Sequence, residues 1–283
     1  MIIAKTLEEL RVALRGHASP AFVPTMGNLH AGHLALVDQA KGLGDVCVAS
    51  IFVNRLQFAP HEDFDSYPRT FEHDCAQLEA HGCDVLFAPT ESVLYPKPQT
   101  FHVTPDPALD GLLEGAHRPG FFRGVATVVM KLFQCVFAQA SETGHAVLGQ
   151  KDYQQLMVIR HMVAQFALPV QVHSGATVRA DDGLALSSRN GYLSEADRAE
   201  AVALSQTLRY MITRAKSGEG HWAAIESQAM DTLRARGWAP DYMTLRRQSD
   251  LQAPEAGDRE LVALGAAKLG DTRLIDNWLF TLD

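Results

Sequence analysis

An α/β chain, with a parallel sheet in its N-terminal part and a smaller α+β domain after it, is predicted from three observations. Strand-like and helix-like segments alternate from the start to about residue 174. The run from Asp45 to Val53 is almost continuously apolar, as expected of a strand covered on both faces. Beyond about residue 175 the alternation gives way to two long helical patterns and then short strands. The first pattern argues for a parallel sheet with helices on both sides, the last for a separate α+β unit. The domains are therefore drawn at 1–175 and 176–283.

Each element has its own signal. Thr6-Leu7-Glu8-Glu9 is a capping box that opens a helix over 6–15. Residues 21–24 read as a strand, and 31–41 as a helix stopped by Gly42 and Gly44. The strand over 45–53 follows, then a helix over 70–81 ended by Gly82 and a short strand at 83–87. The stretch 89–122 breaks the rhythm with six prolines (89, 96, 98, 105, 107 and 119) and is expected to be an irregular flap. A long apolar helix is expected over 124–139, a strand at 146–148, a helix over 153–166 and a strand at 170–172. Ser194-Glu195-Ala196-Asp197 starts a helix that runs to about 216. Ser217-Gly218-Glu219-Gly220 reads as a turn, and a second helix extends to about 236. Strands are expected over 241–246, 260–264 and 272–275. No internal repeat or low-complexity tract appears.

Composition narrows the class of function. The 283 residues are 47% hydrophobic, enough for a real core, yet no stretch is long and apolar enough to span a bilayer. The formal net charge is −8 and there is no basic stripe, which argues against nucleic acid as a partner. The four cysteines (Cys47, Cys75, Cys83 and Cys135) form no C-x-x-C pair and read as buried free thiols of a reducing compartment. Met1 to Lys5 leads directly into the first helix, with no basic and apolar leader pattern, so a cytoplasmic location is expected.

The segment with most chemical content is Pro24-Thr25-Met26-Gly27-Asn28-Leu29-His30-Ala31-Gly32-His33. It lies between a strand and a helix start. A helix N-terminus presents free N–H groups and a partial positive charge, and phosphate suits it. Gly27 and Gly32 permit close backbone approach, and His30 and His33 add donors. A bare H-x-x-H is a weak pattern, and a packing histidine is its commonest explanation. A metal pair ranks lower, because no nearby Cys or third His completes a set. The strand–glycine–helix context favours a nucleotide-phosphate cradle. Two more polar groups fall after strands: Asn54 and Gln57 after 45–53, and Lys151, Asp152 and Gln155 after 146–148. Ligands of open α/β sheets bind at those carboxyl ends.

PTMGNLHAGHLALV resembles the signature of the pantoate–β-alanine ligase (pantothenate synthetase) family within the HxGH nucleotidylyltransferase superfamily. Three further blocks stand in the family's order. Residues 51–58, IFVNRLQF, resemble FVNPxQF; residues 149–156, GQKDYQQL, resemble GEKDYQQL; residues 186–190, LSSRN, resemble MSSRN. Residues 65–70, DSYPRT, and 122–129, FRGVATVV, also look like family blocks. The likeness is dense to about Asn190 and looser beyond.

The resemblance implies a Rossmann-like N-terminal domain and ATP-dependent condensation of pantoate with β-alanine through a pantoyl adenylate, with ATP and Mg²⁺ required. It implies ATP binding by Met26, Gly27, Asn28, Leu29, His30, Ala31, Gly32, His33, Gly149, Gln150, Lys151, Asp152, Val178, Leu186, Ser187, Ser188 and Arg189. Within that set His33, His30, Lys151 and Arg189 would carry the catalysis, Asp152 would meet the ribose, and Val178 would meet the adenine through its backbone. Gln57 and Gln155 would hold pantoate, assisted by Asn54. Residues 186–190 would form a mobile lid, Arg189 offering phosphate a planar fork of donors. Mg²⁺ keeps waters and needs few protein ligands, so no direct metal ligand is assigned; Asp74 is a candidate for the outer shell. A homodimer is implied, with 45–53 as a candidate interface. Arg55-Leu56, Gln150 and Ala31 depart from the family pattern and bear on the site's electrostatics.

Blander readings stand beside these. Lys151 and Asp152 could be a solvated first turn, and residues 186–190 a turn that caps the next helix. A nucleotidyltransferase that stops at a nucleotidylated product, a nucleotide-binding regulator without turnover, and a metal hydrolase are the rival functions.

Overall fold

The computed structural model describes residues 1–60, 62–218 and 221–282, so Glu219 and Gly220 of the expected turn lie outside the described residues. Contacts divide the chain into two units. Met1–Gln150 and Gln154–Ala176 make the first, and Lys151–Tyr153 joins the residues from Thr177 onward in the second.

In the first unit the elements run β1 (Ile2–Ala4), α1 (Leu7–Ala13), β2 (Pro20–Thr25), α2 (Ala31–Ala40), β3 (Val46–Ile51), α3 (Phe71–Ala80) and β4 (Val85–Phe87). Then come α4 (Glu91–Leu94), α5 (Pro107–Asp110), α6 (Leu113–His117), α7 (Phe121–Val136), β5 (Gly144–Gly149), α8 (Tyr153–Gln165, whose first residue belongs to the second unit) and β6 (Val170–Gly175). Among the described residues the strands form one six-stranded sheet in the order β1-β4-β3-β2-β5-β6, every pairing parallel. From β2 the chain proceeds to β3 on one side, and β5 lies on the other. The order therefore reverses at β2/β5, and ligands of open α/β sheets bind at such a switch point.

The core explains the sheet. Ala21, Phe22 and Val23 of β2 and Val48 and Ala49 of β3 are fully buried. Phe22 meets Phe133 and Phe137 edge-on at centroid distances of 6.2 Å, fixing α7 to the sheet. α1 starts as its capping box predicts: Thr6 Oγ1 accepts from Glu9 N, and the Glu9 carboxylate accepts from Thr6 N.

Several expectations need correction. β1 is a three-residue strand at the sheet edge where none was expected. The flap over 89–122 contains three short helices, α4, α5 and α6, and Asp106 caps α5 with Pro107 in its first turn. The long apolar helix begins at Phe121 rather than 124 and ends at Val136. Within residues 45–53, β3 lies between β2 and β4 and is buried from Val46 to Ser50, whereas Asp45 is exposed and Ile51 and Val53 are half-buried. Cys47 and Cys83 are buried thiols, but Cys75 and Cys135 are only half-buried.

The second unit contains α9 (Glu195–Glu200), α10 (Val202–Lys216), α11 (Trp222–Ala235), β7 (Ala239–Arg247), β8 (Glu260–Leu269) and β9 (Thr272–Thr281). The helix expected from 194 to 216 is two helices divided at Ala201. All three strands are longer than the sequence suggested. They form an antiparallel sheet in the order β7-β8-β9, with the β8–β9 hairpin closed by Gly270 and Asp271 between the paired Leu269 and Thr272. Leu208, Met211, Leu233, Leu245 and Leu261 form its core. Among the described residues no helix is long and apolar enough to cross a membrane.

Candidate functional site

The turn after β2 is built by buried hydrogen bonds. Thr25 Oγ1 donates to Ser50 O at 2.6 Å and accepts from Gly27 N at 3.2 Å. Gly27 has φ +83° and Asn28 φ +49°, so the backbone makes two consecutive left-handed steps. Glycine takes such a step freely and asparagine takes it at some cost. Asp74 holds the turn in place. It is 1% exposed, and its carboxylate accepts from Asn28 N at 2.9 Å, Leu29 N at 2.8 Å and Thr70 Oγ1 at 3.2 Å. With both oxygens engaged inside the protein, Asp74 acts as a scaffold for the turn.

His30 and His33 cap α2. His30 Nδ1 accepts from Gly32 N at 3.1 Å, and His33 Nδ1 accepts from His30 N at 3.4 Å. This is a capping box in which two imidazoles replace the usual hydroxyl and carboxylate. The consequence is chemical. A neutral imidazole carries one proton, and a ring whose Nδ1 accepts must carry it on Nε2. The two rings lie 4.1 Å apart, so two Nε2–H donors are placed together at a helix N-terminus. The first turn of α2 contains no acidic residue, so the helix end keeps its positive potential for a guest.

Beyond β3, residues 54–57 present the amides. Gln57 closes a single 3₁₀ turn, Arg55–Gln57. Its Oε1 accepts from Asn54 Nδ2 at 3.1 Å, and its Nε2 points at Met26 Sδ, 3.1 Å away. Asn54 adjoins Gln57 and is buried. It is 1% exposed, its Nδ2 also donates to Gly124 O at 3.2 Å, and its Oδ1 accepts from Tyr95 OH at 3.0 Å. The backbone here is held by Arg118, which reaches Gln57 O at 3.4 Å and grips Glu62 with two bonds of 2.7 and 2.8 Å. Gly124 makes the approach possible, since a Cβ there would meet Leu56 O at 2.1 Å. Arg55 turns outward, its guanidinium 3.9 Å from the centre of the Phe64 ring and 3.8 Å from Glu91.

Two neighbouring glutamines on α8 divide their duties. Gln154 is buried and ties down the α5–α6 region, donating to Leu109 O and Leu112 O and accepting from Glu114 N. Gln155 is half-buried.

In the second unit Lys151, Leu184, Ser187, Asn190, Ser205 and Asp276 are among the residues lining a recess. Asn277 Nδ2 donates to Lys151 O at 2.8 Å, which anchors the lysine backbone there. Ser187 caps a 3₁₀ turn over Ser188–Tyr192, its Oγ accepting from Arg189 N at 3.3 Å. Leu186 N donates to Val178 O at 3.0 Å, so the Val178 carbonyl already has one partner. Arg179 grips Asp276 with bonds of 2.7 and 2.8 Å, and its guanidinium stacks 3.8 Å over Trp278. Lys151, Asp152, Val178, Leu186, Ser187, Ser188 and Arg189 belong to the second unit, while Met26 to His33, Gly149, Gln150, Gln57 and Gln155 belong to the first.

Sequence reasoning assigned no role to Tyr95, Arg118 or Glu62. None has a local signal, because each acts through a partner distant in sequence. Among the described residues no group of three or more His, Cys, Asp or Glu side chains could hold a metal ion.

The family model described as Pantoate-beta-alanine ligase matches residues 2–279. The pantothenate synthetase of Verminephrobacter eiseniae is 62% identical over 282 residues, which cover 99% of this chain and 100% of the relative. A crystal structure of pantothenate synthetase from Thermus thermophilus superposes with a TM-score of 0.91 at 43% identity, over 98% of this chain and 99% of that one. A crystal structure of pantoate–β-alanine ligase from Francisella tularensis, complexed with β-γ ATP and β-alanine, gives a TM-score of 0.83 at 32% identity, over 99% and 97%.

Proposed function

The chain belongs to the pantoate–β-alanine ligase family, and from that premise we propose how its residues carry out the ATP-dependent condensation of pantoate with β-alanine. The pantoate carboxylate attacks the α-phosphorus of ATP, the bond to the bridging oxygen breaks, and pyrophosphate leaves. The β-alanine amine then attacks the acyl carbon of pantoyl adenylate, loses a proton, and AMP departs as the amide forms. The first step brings two anions together, so preorganised donors must meet the charge that develops on the phosphate.

The paired histidine cap carries this reading. His30 and His33 spend their Nδ1 atoms on backbone N–H groups and keep Nε2–H donors beside a helix N-terminus. We assign those donors to the α-phosphate, where they hydrogen-bond to the charge that develops, with His33 as the principal donor. Met26, Gly27, Asn28, Leu29, Ala31 and Gly32 form the backbone cradle; family resemblance adds Gly149 and Gln150 to the ATP-binding set and gives Asp152 the ribose. Lys151, Ser187, Ser188 and Arg189 take the β- and γ-phosphates and stabilise the leaving pyrophosphate, and Val178 and Leu186 border the adenine. Gln57 and Gln155 hold pantoate; Asn54 supports Gln57.

Mg²⁺ enters with the nucleotide. By family resemblance Mg²⁺ would supply charge neutralisation for the phosphates, and a cation that keeps its waters needs few protein ligands. Closure over the adenylate by residues 186–190 would keep water from it. A cytoplasmic location agrees with four unpaired cysteines. A homodimer is proposed on family resemblance, and sedimentation of the purified protein tests it.

The deciding assay supplies ATP, Mg²⁺, D-pantoate and β-alanine and follows AMP and pantothenate together. AMP formed in step with pantothenate, and only with both substrates, supports the ligase. Pyrophosphate release on pantoate with no product after adding β-alanine would leave only nucleotidyl transfer. His33→Ala should lower the adenylation rate on the order of 10² or more. Unchanged pyrophosphate release would remove His33 from the mechanism.

A further inference from the structure

The side chains behind Gln57 form a chain whose hydrogen-bond polarity can be read from end to end. Gly124 O is a carbonyl and can only accept, so the group of Asn54 that faces it at 3.2 Å must be the amide NH₂. Asn54 Oδ1 then faces Tyr95 OH at 3.0 Å, and the phenol must donate. The remaining Asn54 hydrogen goes to Gln57 at 3.1 Å, so that end of Gln57 must be Oε1. Gln57 Nε2 is the end left over, and among the described residues it faces the weak acceptor Met26 Sδ at 3.1 Å. A carboxylate or hydroxyl oxygen displaces a thioether as partner for an N–H donor without difficulty.

Tyr95 is suited to lock this order. Burial pushes its phenol above the usual range, so it remains a proton donor at any working pH. Its ring is fixed separately, against Phe52 at 5.9 Å and under the Lys131 ammonium at 4.4 Å, while Lys131 itself donates to Gln99 at 2.8 Å. Removing the hydroxyl leaves those ring contacts in place. It strands Asn54 Oδ1, an acceptor in a side chain that is 1% exposed.

We propose that Tyr95 is a positioning residue for the acid substrate: through Asn54 it fixes the Gln57 side-chain amide with its NH₂ outward, which selects a ligand rich in acceptor oxygens. The inference rests on the reading that Gln57 binds pantoate. In Tyr95→Phe, Asn54 loses the partner that holds its oxygen, and Gln57 samples the flipped amide, whose outward oxygen repels a carboxylate.

The test measures steady-state KM for pantoate and for ATP, with melting temperature, in wild type, Tyr95→Phe, Gln57→Ala and the double variant. The expected result is a pantoate KM raised roughly tenfold in Tyr95→Phe, with ATP KM and melting temperature near wild type. In the Gln57→Ala background the same change should have no further effect, because the amide it orients is gone. Tyr95→Phe with an unchanged pantoate KM, beside a raised one in Gln57→Ala, overturns the role of Tyr95 alone. Equal rises in both KM values with a lowered melting temperature overturn it too, as the mark of a general packing role. So do additive effects in the double variant. An unchanged pantoate KM in Gln57→Ala instead overturns the assignment of Gln57.

Discussion

Replacing Asp74 by asparagine tests whether one buried carboxylate holds the phosphate turn. The native side chain receives Asn28 N at 2.9 Å, Leu29 N at 2.8 Å and Thr70 Oγ1 at 3.2 Å. Asparagine retains one acceptor and turns an NH₂ toward a backbone N–H that donates as well. One charge-assisted bond is lost, worth about 1.5–3 kcal/mol, and a buried N–H is left facing a donor, a penalty of about 1–3 kcal/mol that partly overlaps the first. A net loss of about 2–4 kcal/mol is expected, equivalent to a fall in melting temperature on the order of 10 °C. The function should suffer further. Asn28 sits at φ +49°, and once its tether is cut it can relax out of the left-handed region. The cradle then loses its preformed shape, and KM for ATP should rise more than KM for pantoate. Thermal melting by circular dichroism, with AMP formation at varied ATP, gives both quantities. Asp74→Asn melting within a degree or two of wild type, with an unchanged ATP KM, would refute the claim that this carboxylate organises the turn.

Two other changes probe the neighbourhood. Gly124→Ala places a Cβ 2.1 Å from Leu56 O and 2.8 Å from Gln57 N, both backbone atoms that cannot swing aside. Displacement of α7 should lower stability by about 1–3 kcal/mol and weaken pantoate binding, which melting and pantoate KM report together. His173 bonds to His145 at 3.0 Å across β5 and β6, and its pKa is lowered by burial first, then by the neighbouring His145 and Arg160 charges. A histidine whose pKa is depressed in the fold takes up its proton more readily when unfolded. Its neutral form favours the fold above the ordinary histidine value of about 6.5, and stability falls as pH drops through that value toward the folded one. His173→Gln should flatten the decline in melting temperature between about pH 7 and 5, and an identical slope in the variant would show that another group sets it.

The legible part of this chain was what local chemistry writes into neighbouring residues. The Thr6–Glu9 capping box, the Ser194 cap and the apolar run of β3 all form as their sequence dictates. The histidine segment could be placed between strand and helix, but not seen as a capping box, because imidazoles seldom play both parts. α5 announced itself with Asp106-Pro107, a cap followed by a first-turn proline, yet it is four residues long and too short for periodicity to show. The β8–β9 hairpin was not read from the sequence although Gly270-Asp271 is a two-residue turn, and its strands were cut short because burial on β8 is nearly continuous rather than alternating. What no local pattern could supply was long-range pairing. Asp74 lies 46 residues from Asn28, and Tyr95 lies 41 from Asn54. In both cases the chemistry belongs to the pair, and neither partner alone announces it.

The assignment of Lys151–Tyr153 to the second unit has a consequence for how this protein can be taken apart. The backbone passes from one unit to the other three times, after Gln150, after Tyr153 and after Ala176, so no single cut separates them. A fragment beginning at Thr177 would lack the carbonyl of Lys151 that receives Asn277 Nδ2, and the phenol of Tyr153 that donates to Gln248 O at 3.0 Å. A fragment ending at Ala176 would carry the same three residues with none of those partners. Excision at the apparent boundary therefore damages both products, and gene fusions or split versions of the enzyme should be joined elsewhere.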